Sequence, residues 1–206
     1  MTVFQTEQET FWAGEFGDHY IGRNPTAKEM GARLALFAKI MARTNGVTSA
    51  IEFGANIGNN LKVIAQMFPA MALAAVEIND KAVESLQEWG KAHVHHSSIL
   101  DFEPPRQYDF SFVSGVLIHI NPEMLPRVYD LLFQASSRYL CCIEYYNPSP
   151  VEISYRGHSG KLFKRDFAGE ILDRFPSLHL IGYGFTYHRD PNFPLDDLTW
   201  FLMEKR

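Results

Sequence analysis

Cysteine is nearly absent from this chain, and the pair it has, Cys141 and Cys142, are adjacent within an apolar run. Neighbouring residues of a strand point to opposite faces, so these thiols cannot meet in a structural disulfide. Reduced, buried thiols fit a cytoplasmic protein. Basic charge is also short. Against 24 Asp and Glu stand 19 Lys and Arg, a net charge of −5, which argues against a nucleic-acid surface. Long apolar runs are missing. The longest, Met67 to Val76, contains Pro69, and no basic-then-apolar leader opens the sequence, so nothing is expected to span a membrane. Internal repeats, low-complexity tracts and linkers are lacking too. A chain of 206 residues without them is expected to form one domain, 1–206, with an N-terminal helical lid over 1–46 and an α/β core over 47–206.

What the chain has in plenty is aromatic side chains: 16 Phe, 9 Tyr and 3 Trp. They suggest a large core with an aromatic-lined cavity. The segment Glu7 to Tyr20 carries Phe11, Trp12, Phe16 and Tyr20 among acids. After Pro25, Thr26-Ala27-Lys28-Glu29 reads as a capping box. It starts a helix with apolar Met30, Leu34, Phe37 and Met41, closed by Asn45-Gly46. Strands and helices then alternate. Strands are expected at Ala50–Phe53, Ala72–Ile78, His93–His96, Phe110–Val116, Tyr139–Glu144, Leu178–Tyr187 and Leu198–Glu204. Between them come helices around Leu61–Phe68, from Asn79 or Asp80 to Trp89, from Asn121-Pro122 to Ala135, and from Asp166 to Phe175. Such alternation implies a mostly parallel sheet with helices on both faces, and a ligand at the carboxyl ends of the strands.

The sharpest local signal is Ile51-Glu52-Phe53-Gly54-Ala55-Asn56-Ile57-Gly58. An apolar strand runs into glycines four apart, with an acid before the first. Gly54 and Gly58 suit a sharp turn and a close ligand, and the next helix would offer its free N–H groups at the same place. A dinucleotide fold wants Gly-x-Gly-x-x-Gly. Here Asn56 stands where the second glycine would be, and Glu52 would repel a pyrophosphate. A ligand carrying an ammonium and a sulfonium fits better, so a nicotinamide-dependent oxidoreductase is disfavoured.

These residues resemble the first motif of the class I S-adenosylmethionine-dependent methyltransferases, and the remaining motifs follow in that family's order. Ala74-Ala75-Val76-Glu77 ends the second strand with an acid suited to ribose hydroxyls. Ser97-Ser98-Ile99-Leu100 follows the third strand, where the family contacts adenine; most members have Asp at the position of Ser98, and Asp101 is a candidate substitute. Tyr108 to His119 resembles the fourth-strand motif, with Ser114, Gly115 and Val116 beside the methionine portion. The resemblance implies a Rossmann-like class I methyltransferase fold: a mostly parallel seven-stranded sheet, helices on both faces and an antiparallel C-terminal strand. It also implies S-adenosylmethionine as cofactor and S-adenosylhomocysteine as product. The cofactor residues it implies are Trp12, Tyr20 and Arg23 from the lid, Glu52, Gly54, Ala55 and Gly58, Glu77 and Ile78, Ser98 and Ile99, and Ser114, Gly115, Val116 and His119. No metal is expected.

An oxygen nucleophile usually needs a base. His119, His158 and His188 are candidates near the carboxyl edge, with Tyr155 beside them. The end of the fourth strand lacks the Asn/Asp-Pro-Pro-Tyr/Phe of exocyclic-amine methyltransferases; Asn147-Pro148-Ser149-Pro150 comes too late. A small-molecule substrate is therefore expected rather than DNA or RNA. After the fifth strand, Arg156, His158, Lys161, Lys164 and Arg165 gather in an otherwise acidic protein, near Tyr145, Tyr146 and Tyr155. Such a loop would grip a phosphate or carboxylate and stack on a sugar ring or base; the alternative is a solvated basic loop. Lysines 161 and 164, Arg156, His158 and the three tyrosines are thus the acceptor candidates. This stretch, with Phe11 to Asp18 and Asp197 to Leu202, is similar to the methylases associated with pseudaminic acid biosynthesis. That resemblance implies an anionic, sugar-like acceptor such as a nonulosonic acid or sugar nucleotide. A competing expectation is a cofactor-binding regulatory or partner subunit without transfer activity.

Overall fold

The structure, a computed structural model, describes residues 4–22 and 26–206. Nine strands are present among the described residues: β1 (Ser49–Phe53), β2 (Ala72–Glu77), β3 (Ala92–His96), β4 (Tyr108–Ser114), β5 (Ser136–Glu144), β6 (Val151–Glu152), β7 (Phe163–Lys164), β8 (Leu178–Phe185) and β9 (Thr199–Lys205). Strands of the main sheet lie in the order β3-β2-β1-β4-β5-β9-β8. The first five run parallel, and β9 is antiparallel to both β5 and β8. Chain order reverses between β1 and β4, which leaves a crevice above their carboxyl ends.

Helices cover both faces. On one side α3 (Ala27–Met41), α4 (Asn59–Met67) and α5 (Asp80–Trp89) pack through Phe37, Ile40, Leu61, Ile64 and Leu86 onto Ala50, Phe110, Phe112 and Leu202. On the other, α6 (Leu125–Ala135) and α7 (Phe167–Arg174) bring Val128, Leu132, Phe167 and Ile171 against Ile51, Val76, Val113 and Met203. The adjacent thiols divide between the faces: Cys141 belongs to the first cluster and Cys142 to the second. Both are free, and burial raises both thiol pKa values.

Local chemistry explains the helix starts. Thr26 and Glu29 close the expected capping box on α3, Asn79 caps α5 through the Ala82 N–H at 3.1 Å, and Asp166 caps α7 through the Gly169 N–H at 2.8 Å. The apolar stripe of α3 differs in part from the sequence expectation. Ala32, Leu36, Phe37, Ile40 and Met41 are buried, while Leu34 is 36 % exposed, because the buried arc centres on residues 36 and 40 and Leu34 lies just beyond Met41 at its edge. The helix expected from Pro122 begins as a 3-10 turn, Pro122–Met124, and becomes α-helical at Leu125.

Elements α1 (Glu7–Ala13) and α2 (Glu15–Ile21) contact the residues that follow β2 and β3, through Asn79 and Ser98. The Asn79 amide donates to Asp18 at 2.9 Å, and Lys81 pairs with Asp18 at 2.6 Å. The short β6–β7 hairpin lies in the segment after β5. Among the described residues no helix is long and apolar enough to cross a membrane.

Gly58 precedes α4 at φ 78°, and a Cβ there would stand 2.5 Å from Leu86 Cδ2. Its backbone and its packing both require glycine. Gly58→Ala is expected to destabilise the fold by ~1–3 kcal/mol. Gly31→Ala, inside α3 with nothing within 4 Å of the added carbon, is expected to stabilise it by ~0.5–1 kcal/mol. Urea unfolding of both variants checks the contrast; equal effects would refute it.

Candidate active site

Above the switch point lies a cavity of about 540 Å³, within the ~300–1,000 Å³ of small-ligand sites. The turn after β1 forms its floor. The N–H groups of Gly54 and Ala55 both donate to the Val76 carbonyl, at 2.8 and 3.1 Å, which pulls the turn across the end of β2. A Cβ on Gly54 would meet Val116 Cγ2 at 2.6 Å, so this glycine is needed for protein packing as well as for the cavity. Asn56 adopts φ 49°, the left-handed region that Asn tolerates, and so takes the glycine's place. Its backbone N–H donates to Glu77 Oε2 at 2.7 Å. The other oxygen, Oε1, accepts from the Ile78 and Asn79 N–H groups at 2.8 and 2.9 Å. Burial raises the pKa of Glu77, opposed by these same amides and by His96.

A second buried acid comes from β1. Glu52 Oε1 accepts from the Asn60 amide at 2.6 Å, and Asn60 Oδ1 accepts from Arg33 at 2.8 Å. Glu52 Oε2 is buried without a partner among the described residues. Burial pushes this carboxyl from 4.5 up to about 8; the Asn60 hydrogen bond and the Arg33 charge pull it back, and Glu77 adds to the rise. Besides Glu52, whose burial favours the protonated form, Glu9, Glu29, Glu77 and Asp196 line the cavity against Arg33 and Arg156, so acidic side chains outnumber basic ones there.

Gly115 forms the opposite wall. Its N–H donates to the Ile143 carbonyl at 2.9 Å, and a Cβ at its position would find open space. Glu144 underlies the following turn, accepting from the Val116 and Leu117 N–H groups at 2.9 and 3.0 Å. Burial pushes it up to about 7 against four backbone amides, including those of Ile118 and Gly115. The 3-10 turn Leu117–His119 carries His119 into the cavity. His119 Nδ1 lies 2.5 Å from the Lys161 carbonyl. A carbonyl can only accept, so Nδ1 holds the proton and Nε2 the lone pair. Burial pushes this imidazole down to about 4, partly opposed by the carbonyl, so it is neutral near pH 7. Its ring is 4.6 Å from Trp12 and 4.9 Å from Tyr155.

Of the sequence candidates, Trp12, Tyr20, Glu52, Gly54, Ala55, Glu77, Ile78, Ser98, Ile99, Ser114, Gly115, Val116, His119, Tyr145, Tyr155 and Arg156 line one cavity. Arg23 lies outside the described residues. Gly58 stands behind the floor against Leu86. The cationic loop is brought together only in part. Lys161 pairs with Glu7 at 3.2 Å and lies over the Phe11 ring, Lys164 lies over Tyr145, and Arg165 pairs with Glu170 at 2.6 Å. His158 packs on Phe11 and Phe16, Tyr146 on Phe201, and His188 pairs with Asp197 at 2.8 Å. None of these six is in the cavity lining. Nor is Asp101, which is bound by the Gln5 amide at 2.5 Å. Among the described residues no group of three or more His, Cys, Asp or Glu could hold a metal ion. The sequence reading missed Glu9, Arg33, Asn60 and Asp196. Glu9 had a visible sign, since Thr6-x-x-Glu9 is a capping box like the one at Thr26.

Sheet order, antiparallel β9 and the site over the switch point define the Rossmann-like fold of class I methyltransferases. No protein-family model matches the chain, and no curated protein matches it in sequence. Solved structures do match. Magnesium protoporphyrin IX methyltransferase from Synechocystis PCC 6803, with S-adenosylmethionine bound, is 15 % identical with TM-score 0.70 over all of both chains. The plantazolicin methyltransferase BpumL, with S-adenosylhomocysteine, is 12 % identical with TM-score 0.64 over 97 % of this chain and 94 % of its own. A S-adenosylmethionine-dependent methyltransferase from Leishmania major is 13 % identical with TM-score 0.70 over 98 % and 87 %. At these identities the likeness is one of fold.

Glu52 gives a pH dependence of stability. Between pH 4.5 and about 8 the folded protein holds a proton that the unfolded chain releases. This carboxyl's contribution is therefore fully present below the lower value and is lost as pH rises through the upper one. Glu52→Gln, which cannot ionise, is expected to gain melting temperature relative to the parent protein across that window and to gain no more above about pH 9. A gap independent of pH in thermal scans would contradict the burial argument.

Proposed function

We propose that this protein is a S-adenosylmethionine-dependent methyltransferase whose acceptor is a small anionic, sugar-like molecule of the nonulosonic acid or sugar nucleotide class. The observation that carries the cofactor half is the acidic lining at the switch point, with Glu77 at the end of β2 and, before the glycine turn, a Glu52 oxygen unpartnered among the described residues. Glu77 Oε2 accepts only the Asn56 N–H and keeps a lone pair, which suits a ribose hydroxyl, whereas Oε1 is already filled by the Ile78 and Asn79 N–H groups. Glu52 suits the ammonium of the amino-acid end and Arg33 its carboxylate. Open space over Gly115 leaves room for the chain between them. Solved neighbours of the same fold carry S-adenosylmethionine or its product, which supports the same cofactor here.

When bound, the cofactor would supply a methyl group already activated by its sulfonium. The protein's task is then alignment and exclusion of water. Trp12, Tyr20, Tyr145 and Tyr155 wall the cavity and would exclude water. His119 Nε2 is the one candidate base that lines the cavity with a lone pair assigned, and it would take the proton of an acceptor hydroxyl. Tyr155 stands against it. Arg156 supports the anionic acceptor, because it lines the cavity and lies over the Tyr155 ring at 5.5 Å. The resemblance of the 145–165 segment to methylases of pseudaminic acid biosynthesis supports the sugar-like class.

Calorimetry with S-adenosylhomocysteine and with NAD, followed by methyl transfer to a panel of nonulosonic acids and sugar nucleotides, tests the reading. Micromolar binding of the first ligand alone, with turnover, is expected; binding without turnover on any acceptor would favour a partner subunit. Glu77→Ala should weaken S-adenosylhomocysteine by ~10–100-fold. Arg156→Ala should raise the acceptor's KM and leave cofactor affinity unchanged. Loss of cofactor affinity alone would take Arg156 out of the acceptor site.

A further inference from the structure

The far end of the cavity is the region beyond Glu77, walled by Ile78, Ile99 and Leu100 and rimmed by Ser97 and Ser98. If a ribose sits on Glu77, its base is carried to this end, since the amino-acid end takes the other direction toward Glu52. This inference rests on the proposed cofactor. An apolar slot for a base still needs a polar group to read its edge. Ser98 is poorly placed for that. Its hydroxyl donates to Glu9 Oε1 and accepts from the Leu100 N–H at 3.0 Å, so its hydrogen is already committed and one lone pair is taken. Asp101 lies outside the cavity lining.

The acid that reaches Ser98 is Glu9, which arrives from α1, lines the cavity and is only 6 % exposed. Its two oxygens have separate duties. Oε2 accepts from the Gln5 and Thr6 N–H groups, both at 2.8 Å, and from the Thr6 hydroxyl at 3.1 Å; this is the capping box that begins α1. Oε1 receives only the Ser98 hydroxyl among the described residues, and keeps a lone pair. A capping glutamate normally stands in water, yet this one is buried at the edge of a ligand cavity.

We infer that Glu9 is the residue that reads the nucleobase: α1 supplies, from outside the sheet, the carboxylate that accepts the exocyclic amine of adenine, with Ser98 holding that carboxylate in place. The site then selects a 6-amino purine over a 6-oxo purine, because an amine donates to the carboxylate whereas a carbonyl oxygen would face it lone pair to lone pair. The N-terminal segment is thereby part of the cofactor site as well as a wall of the cavity.

The test compares S-adenosylhomocysteine with its 6-oxo analogue, in which inosine replaces adenosine, by calorimetry. The parent protein should prefer the amino form by ~10-fold or more. Glu9→Gln keeps a residue that can close the capping box, and its amide can present either a donor or an acceptor. Its preference should fall to within about threefold, with the helical signal of the parent retained. Adding Ser98→Asp to Glu9→Gln should restore the preference. Discrimination unchanged in Glu9→Gln, or not restored by Ser98→Asp, overturns the role of Glu9 and leaves the cofactor reading intact. Failure of the parent to bind either ligand overturns both.

Discussion

The Glu77 carboxylate at the end of β2 is the contact on which this site depends. By accepting from Asn56, Ile78 and Asn79, it joins the turn after β1 to the start of α5. The same turn is already drawn to β2 by two N–H groups on the Val76 carbonyl. Burying a carboxyl costs free energy unless hydrogen bonds compensate, and here the backbone supplies them. The floor is therefore shaped by the fold before any ligand arrives. Glu144 repeats the device on the other side of the switch point, holding the turn that presents Gly115 and His119. Glu52 lacks such backbone support. Its one hydrogen bond comes from the Asn60 side chain, its second oxygen has no partner among the described residues, and burial favours its protonated form.

Much of the sheet was legible because buried parallel strands are short apolar runs bounded by Gly, Pro or Asn. The β1 and β2 runs are of this kind and lie within a residue or two of their expected places. β3 was fainter, since it is an edge strand with His93, His95 and His96 on its surface. The β6–β7 hairpin left no pattern, as each strand has only two residues. The motif positions that line the cavity sit at strand ends, where local sequence dictates the turn.

Long-range partners were not legible. Five cationic side chains close together suggested a clamp, yet Lys161 is neutralised by Glu7 and Arg165 by Glu170. The Lys161–Glu7 contact joins the loop to α1 across most of the chain, and no local pattern announces it. Glu9 illustrates the same limit. Its capping box is local and readable, but its second oxygen meets Ser98 from 89 residues away. A vacancy at Ser98 and a misplaced acid at Glu9 each look unremarkable alone; only the fold makes them one feature.

This division bears on how such a fold changes substrate. The cavity half near Gly54, Glu77 and Gly115 belongs to strand ends that the sheet holds in register. The other half is lined from elsewhere: Trp12 and Tyr20 from α1 and α2, Tyr145, Tyr155 and Arg156 after β5, and Asp196 and Leu198 before β9. These segments contribute few core residues, so they can vary at little cost to stability. Solved neighbours with the same sheet include enzymes named for magnesium protoporphyrin IX and for plantazolicin, at identities too low for shared acceptor contacts to be assumed. Under the proposed function, acceptor choice is to be sought where α1, α2 and the segments after β5 and before β9 converge. Burial of Tyr145, with Asp196 as its partner, raises the pKa of that tyrosine and keeps it a neutral hydrogen-bonding wall rather than an anion. Beside it Arg156 is the basic side chain from these segments that lines the cavity, so a negatively charged acceptor would find its counter-charge there and meet Asp196 as a repulsive limit on where its anionic group can lie.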